Sequence, residues 1–379
     1  MVGHSSEGRF KVLIAGGGVA ALEAALALQD LGGDRLEVAL LAGEPQFRYR
    51  PMAVREPFAY RAAESRSVAE VAAAAGAQLI AGRFASVEPG ARIVHTEAGE
   101  PIAYDALLLA LGAKAHVRYP HALTIDDARL DEQMHGLIED VEGGYVHSIA
   151  FIVPARMAWP LPIYELALLT CQRAFDMNVE LEVTLATPEQ RPLEVFGEAA
   201  SAAVSELLAD HGVEVETRAR CEVPDSRHVV INPGDRTLEV ERIVSLPELF
   251  GPAVRGLRSD EHGFLPIDAH CAVRDADAVF AAGDATDSPI KHGGLAADQA
   301  DTAAASIAAL AGLDVVAAPL HSVIHGMMLT GAEPLYLTAE LSGGRGIHSQ
   351  AGPTAEWDGA AKITARYLGR YLEAHGGDQ

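Results

Sequence analysis

Three consecutive glycines, Gly16, Gly17 and Gly18, separate the apolar run Lys11–Ala15 (KVLIA) from the Ala- and Leu-rich stretch Val19–Leu31. A short continuous apolar run that stops at glycine reads as a buried parallel strand. The stretch after it reads as a helix closed by Gly32-Gly33. Leu36–Leu41 (LEVALL) is the next strand, so a β-α-β unit is complete within about 30 residues. Inside it, Gly16-Gly17-Gly18-Val19-Ala20-Ala21 has the spacing GxGxxA. Gly16 allows a tight turn, Gly18 lets a pyrophosphate approach the helix N-terminus, and Ala21 lets the helix lie close to its strand. The strand before it and the helix after it mark the motif as a dinucleotide-binding turn. A glycine turn without a ligand is the alternative.

The same alternation continues. Val68–Ala75 reads as a helix with Ser67 as N-cap and Gly76 past its end, Ala77–Ile80 as a strand, and Phe84–His95 as a hairpin around Pro89-Gly90. Asp105–Ala110 (DALLLA) is another buried strand. A second α/β block repeats the first: strand Ser148–Val153, helix Ile163–Phe175, strand Val179–Ala186, helix Ala199–His211 and strand Val213–Thr217. The strand in Asp277–Asp284 and a helix over Leu295–Leu310 follow. His325–Leu337 and Lys362–Leu372 read as a small terminal cap, and the Gly- and Ser-rich Gly343–Thr354 between them as a loop.

With 379 residues, 49% hydrophobic and 22% charged, the chain has room for two or three domains with sizeable cores. Its 53 acids against 29 Lys and Arg leave a net charge of -24. That excludes a basic footprint for nucleic acid and weakens any docking on anionic lipid. The three cysteines, Cys171, Cys221 and Cys271, form no CxxC pair, which disfavours a dithiol redox motif and a cysteine zinc site; no metal is expected. Free thiols suit a reducing cytoplasm. Val12–Leu28 could mimic a signal peptide, but it holds Glu23 and three glycines and lacks flanking signals, and no stretch is long and apolar enough to span a bilayer. The expected location is the cytoplasm, with peripheral contact at the inner face of the membrane left open.

Two later motifs complete an ordered set: Ala110-Leu111-Gly112 after the DALLLA strand, and Gly283-Asp284 after Val279–Ala282. In this order the motifs resemble the two-dinucleotide-binding-domain flavoproteins, the pyridine nucleotide-disulfide oxidoreductase superfamily, over nearly the whole chain. The resemblance implies an α/β fold of two Rossmann-like domains with a small C-terminal cap, and FAD as cofactor. The FAD domain would be discontinuous (1–118 and 246–324), the second Rossmann-like domain would span 119–245, and 325–379 would be the cap. FAD would be held by Gly16, Gly18, Val19, Ala20, Ala21, Ala110, Leu111, Gly112, Gly283, Asp284, Lys291, Gly293 and Gly294. Leu111 replaces the Thr usual in the family. Asp284 would reach a ribityl hydroxyl while Gly283 clears the cofactor. Glu44, slightly late after the second strand, is the candidate for the adenosine ribose, with a surface role as the alternative.

The first strand of the second block ends in Val153-Pro154-Ala155-Arg156-Met157-Ala158-Trp159-Pro160-Leu161-Pro162-Ile163-Tyr164-Glu165, without a glycine. Prolines offer no N–H and Trp159 is large, so a pyrophosphate cradle is hard to build there. The stretch looks like the Cys-Pro-x-x-Pro-Tyr-Glu segment of the sulfide:quinone reductase and flavocytochrome c sulfide dehydrogenase branch. Tyr164 and Glu165 match, while Trp159 replaces the cysteine and Ile163 the second proline. A sulfide donor is therefore expected to fail. Glu165 is a candidate proton carrier beside the flavin, or a structural acid at a helix start. Lys291 and the helix end after it would stabilise the anionic reduced ring. His292 reads as an ordinary exposed histidine or a proton donor.

Ile363, Tyr367, Leu368, Tyr371 and Leu372 have helical spacing, which fits core, a homodimer contact or membrane docking. The function implied is an FAD-dependent oxidoreductase moving electrons from a small-molecule donor to an acceptor, a quinone among the candidates. An NAD(P)H-dependent dehydrogenase and a flavin-binding regulatory or assembly subunit are the rivals.

Overall fold

The computed structural model describes residues 9–58, 65–126, 129–156, 159–342, 344–355, 357 and 362–375, with backbone only at 50 and 51. Met157 and Ala158 of the glycine-free stretch, and Gly343, lie outside the described residues. The first apolar run is strand β1 (Phe10–Ala15), followed by α1 (Val19–Gly32) and β2 (Leu36–Ala42). Helix α1 stops where Gly33 takes φ +50°, as the Gly32-Gly33 pair predicts. Helix α2 (Val68–Ala74) starts at Ser67, whose Oγ accepts from the Glu70 amide at 3.4 Å. Strands β3 (Gln78–Ala81) and β4 (Ala106–Leu109) flank a three-stranded excursion over Phe84–Ala103 that contains the predicted hairpin. Strand β5 (Lys114–His116) leads out of this half.

The second half holds α3 (Leu130–Glu142), β6 (Ser148–Ile152), α4 (Leu161–Asp176), β7 (Glu182–Ala186), α5 (Gly197–Asp210), β8 (Val213–Glu216) and β9 (Arg242–Ser245). Strand β10 (Glu248–Phe250) pairs antiparallel with β5, and these two form the ribbon joining the halves. The chain then returns to the first sheet with β11 (Val279–Ala281) and α6 (Gly293–Leu310). Strands β12 (Val323–Met328), β13 (Leu335–Ser342) and β14 (Arg345–Gly352) and helix α7 (Leu368–His375) end it.

Two parallel sheets result. The first has strand order β11-β4-β1-β2-β3, and the second runs from the short Leu123–Thr124 strand through β9, β6 and β7 to β8. Both faces of the first are buried. Val12 and Ile14 of β1 face α1 and α6, while Leu13 and Ala15 face the layer that includes Val87 and Val94. This is the α/β architecture of two Rossmann-like units, with the C-terminal strands as a third, smaller element.

The C-terminal segment departs from expectation. Gly343–Thr354 is not a loop: its described part carries β14, eight residues paired antiparallel with β13. Its glycine serves close approach rather than a turn. A Cβ on Gly346 would lie 2.5 Å from the Val195 carbonyl oxygen. Ser349 of the same strand accepts from the Ala200 amide at 3.0 Å, which seats β14 on the start of α5. The apolar stripe is core: Ile363 and Leu368 are buried, and Tyr367, Tyr371 and Leu372 pack against the cluster around α1 and α6. Among the described residues no helix is long and apolar enough to cross a membrane.

Candidate functional site

The strand registers bring the sequence motifs to one edge. Ala15 pairs with Leu41 and Leu109, and Leu109 pairs with Ala281. The residues after each strand therefore line the carboxyl end of the first sheet, the place where open α/β sheets bind ligands. Gly16 closes the first turn at φ +139°, and its amide donates to the Leu41 carbonyl at 2.9 Å. A Cβ on Gly16 would sit 2.1 Å from the Ala110 carbonyl oxygen, so only glycine fits. Gly18 differs. It is extended at the N-cap of α1, makes no side-chain cap, and a Cβ there would meet no atom within 4 Å. Gly112, at φ +68°, has the same open surroundings. An uncapped helix N-terminus beside two glycines with open space at their Cβ positions fits a dinucleotide pyrophosphate.

The Gly283-Asp284 turn is held from behind. Gly283 has φ +74°, and its amide donates to Gln299 Oε1 at 2.8 Å. A Cβ on Gly283 would touch Ala20 and Ala296 at 3.3 and 3.5 Å. Ala20 and Ala21 are buried at the start of α1, where their small side chains bring α1 close to this turn. Val19 and Leu111 lie beside the same glycines, and Asp284 is half-buried next to them. Glu44 is exposed just past β2 and pairs with Arg83. Gln299 carried no sequence signal, because a Gln in an Ala-rich helix looks like a surface residue until its helix is docked.

Lys291 is buried, with Nζ donating to the Thr286 carbonyl and lying 3.9 Å from the Phe264 ring centroid. Burial pulls its ammonium down to about 8, against the opposing charges of Asp284, Asp287 and Asp260. His292 is not an exposed histidine. It is 7% exposed, its Nδ1 accepts from the Leu295 amide as the N-cap of α6, and burial holds its imidazole down at about 3. Its ring lies 4.4 Å from that of Trp159, which in turn meets Phe196 edge-on at 5.5 Å. Gly293 and Gly294 are small because the C-terminal segment crosses them: a Cβ would be 2.7 Å from Ile363 and 2.8 Å from Thr364 Oγ1.

Glu165 is 1% exposed in α4 and bound on both sides. Its carboxylate takes the Leu329 amide at 2.9 Å and the Lys362 ammonium at 2.6 Å. Burial raises its carboxyl, and Lys362 pulls it back. Neither Lys362 nor Tyr49, whose hydroxyl accepts from the Ile363 amide at 2.9 Å, could be chosen from sequence, since their partners lie far along the chain.

At the end of β7 in the second sheet, where a dinucleotide-binding unit places its ribose acid, stands Glu189. It accepts from Tyr164 Oη at 2.7 Å, from Thr187 Oγ1 at 2.8 Å and from the Glu194 amide at 3.1 Å, and desolvation lifts it to about 7. Helix α4 beside it opens with Pro160 and Pro162 and has no side-chain cap. Glu189 follows a recognisable strand, so its position was the one signal that could have found it. The three thiols are free, and burial pushes each up to about 12, which leaves no ready thiolate.

The sequence profile of the pyridine nucleotide-disulphide oxidoreductase family matches residues 10–143 and 165–306. Among solved structures, the chain is similar to the sulfide:quinone oxidoreductase of the hyperthermophilic bacterium Aquifex aeolicus, with TM-score 0.78 and 18% identity over 91% of this chain and 87% of that one. It is also similar to a ferredoxin reductase of Rhodopseudomonas palustris (TM-score 0.63, 19% identity, 88% and 83% covered). A third, an NAD-dependent persulfide reductase of A. fulgidus, gives TM-score 0.62 and 16% identity over 87% of this chain and 64% of that one. No curated protein sequence matches the chain.

Proposed function

The chain belongs to the pyridine nucleotide-disulphide oxidoreductase family, and from that premise we propose that this oxidoreductase binds FAD at the carboxyl edge of the first sheet and takes its electrons from a donor other than NAD(P)H or sulfide. Bound FAD would supply the redox chemistry. Gly16, Gly18, Val19, Ala20 and Ala21 would receive its pyrophosphate on the α1 N-terminus, Glu44 would serve its adenosine ribose, and Ala110, Leu111, Gly112, Gly283 and Asp284 would line its flavin half. Lys291 and the N-terminus of α6, at Gly293 and Gly294, hold positive charge at this edge.

The observation that carries the donor side is the second sheet. Its would-be phosphate turn has prolines in place of glycines, and Glu189 is engaged by Tyr164, Thr187 and a backbone amide. A nicotinamide dinucleotide would have to displace those bonds and find amide donors that proline lacks. Trp159 offers an indole where a sulfide-oxidising relative would need a thiol. For the acceptor, flat rings collect near the α6 N-terminus. Trp159 and Phe196 meet there, and a Cβ on Gly326 would lie 2.6 Å from the Phe196 ring. The neighbouring His325 ring lies 4.8 Å from that of Trp357, tilted at 45°. This suits a planar acceptor such as a quinone. Glu165 and Lys362 beside it can hold a proton between them.

The test is the visible spectrum of the native protein under anaerobic conditions, before and after NADH. A flavin spectrum that NADH and sulfide leave oxidised is the expected result; rapid bleaching by NADH would transfer the reading to an NAD(P)H-dependent dehydrogenase, and a colourless protein would favour a non-catalytic role. Gly18→Asp sets a carboxylate in open space at the α1 N-terminus without a steric clash. Bound flavin is expected to fall to about a tenth or less of the parent's, with circular dichroism unchanged.

A further inference from the structure

The ribbon between the two halves carries a cationic aromatic cluster that the cofactor does not account for. Lys114 pairs with Phe250, and His116 with Glu248, so these four side chains share one face of the β5–β10 ribbon. The guanidinium of Arg156 lies 4.7 Å from the centroid of the Phe250 ring. The rings of His116 and His262 approach the same ring at 5.2 and 6.1 Å. Arg156 sits on the loop after β6, at the carboxyl edge of the second sheet, where a dinucleotide-binding relative would keep its glycines.

Its charge is uncompensated. Among the described residues Arg156 forms no ion pair, in a chain whose acids outnumber Lys and Arg by 24. The acid on the ribbon face, Glu248, lies 3.8 Å from Arg118, and Glu261 lies 3.3 Å from His262. The cation–π contact with Phe250 restrains the guanidinium, which lowers the ordering its fork needs to accept a planar anion. The loop favours a carboxylate over a phosphate. Pro154, Pro160 and Pro162 remove the amides that a phosphate cradle uses, whereas a bidentate carboxylate needs only the fork.

The cluster also adjoins the flavin-side residues. The Gly251 amide, next to Phe250, donates to the His262 carbonyl at 2.9 Å, and a Cβ on Gly251 would clash with Gly263. Phe264, next in line, carries the Lys291 ammonium. On the other side, Trp159 follows Arg156 by three residues and stacks on His292. We propose that Arg156, with His116 and His262 around Phe250, binds the carboxylate of a small organic acid. The binding site does not rest on the FAD reading above.

Calorimetric titration of the purified native protein with benzoate, and with benzamide as its uncharged shape match, tests it. Saturable benzoate binding that weakens with salt is expected, with benzamide at least about tenfold weaker. Arg156→Met keeps the apolar stem over Phe250 and is expected to lose about 10- to 100-fold in benzoate affinity, with Arg156→Lys between the two. Flavin absorbance of the same samples reports the cofactor reading separately and should not change with the substitution. Absence of saturable benzoate binding, equal binding of benzamide, or full affinity in Arg156→Met overturns the proposal.

Discussion

Lys362→Met is expected to destabilise the protein by about 3–5 kcal/mol, because it removes an ammonium that faces a carboxylate water does not reach. Lys362 and Glu165 are 5% and 1% exposed and lie 2.6 Å apart. Without the ammonium, Glu165 keeps, among the described residues, the Leu329 amide, and folds at the cost of burying its charge or of taking up a proton. The sign with pH follows. Its folded pKa would lie further above the unfolded value, so the stability present below about pH 4 is lost as pH rises through the folded pKa. The deficit of Lys362→Met should therefore widen from pH 5 to pH 8 in urea denaturation. Combining it with Glu165→Leu removes both charges and should recover most of the loss. A single variant within about 0.5 kcal/mol of the parent would show that the pair holds nothing together. The C-terminal segment crosses the α6 N-terminus beside this pair, so the same variant should loosen the start of α6 and raise proteolysis near residue 362.

The second large effect concerns Glu23, a fully buried acid in the apolar run of α1. Its two carboxylate oxygens accept from the Tyr367 and Leu368 amides at 2.8 and 2.5 Å, capping α7 from another helix. Asp298 and Asp301 of α6 share this environment, and Arg366 is the cation facing it. Burial first, then the charge of Glu23, raises Asp298 to about 7 and Asp301 to about 8. Both folded values lie above the unfolded one near 3.8, so the folded state binds more protons, and the stability these groups contribute is lost as pH rises through about 7 and 8. The parent should melt at progressively lower temperature between pH 6 and pH 9. Glu23→Ala should cost about 2–3 kcal/mol at pH 6 through the lost charge-assisted bonds. Its melting curve should be flatter over the same window, because the nearest negative charge is gone. Hydrogen exchange at the Tyr367 and Leu368 amides should accelerate with it. Parallel pH profiles for parent and variant would refute the role of the Glu23 charge in raising these two acids.

Both effects rest on contacts that no window of sequence contains. Glu165 and Lys362 are 197 residues apart, and Glu23 is 344 and 345 residues from its partners. Glu23 did leave a trace, an acid among the alanines and leucines of the first turns of α1. The trace names a buried charge without naming what neutralises it. His292 shows the same limit. As a histidine before two glycines it reads as exposed, and only the stacking of Trp159 and the passage of Ile363 and Thr364 over the glycines bury it.

Local physics made the rest legible. A strand buried on both faces needs a continuous apolar run, a helix N-cap is favoured by a Ser such as Ser67, and a helix closed in the left-handed region favours glycine, so β1, α1, β2, α2 and the second α/β block stand in the sequence as periodicity and punctuation. The glycine motif was legible for the same reason, since the Gly16 turn is compatible with no other residue. Gly343–Thr354 was misread because glycine and serine signal turns only when nothing else demands small residues. In β14 the demand comes from the backbone of α5 and the segment before it, which approaches so closely that a Cβ on Gly346 would overlap the Val195 carbonyl oxygen. The sequence by itself determined the two parallel sheets and the glycine turns at the carboxyl edge of the first, because these follow from short-range periodicity and backbone conformation. The tertiary structure alone decided which buried charges are paired, which histidine is dry and which glycines are small for packing, because desolvation and close approach depend on neighbours that the chain supplies only once it has folded.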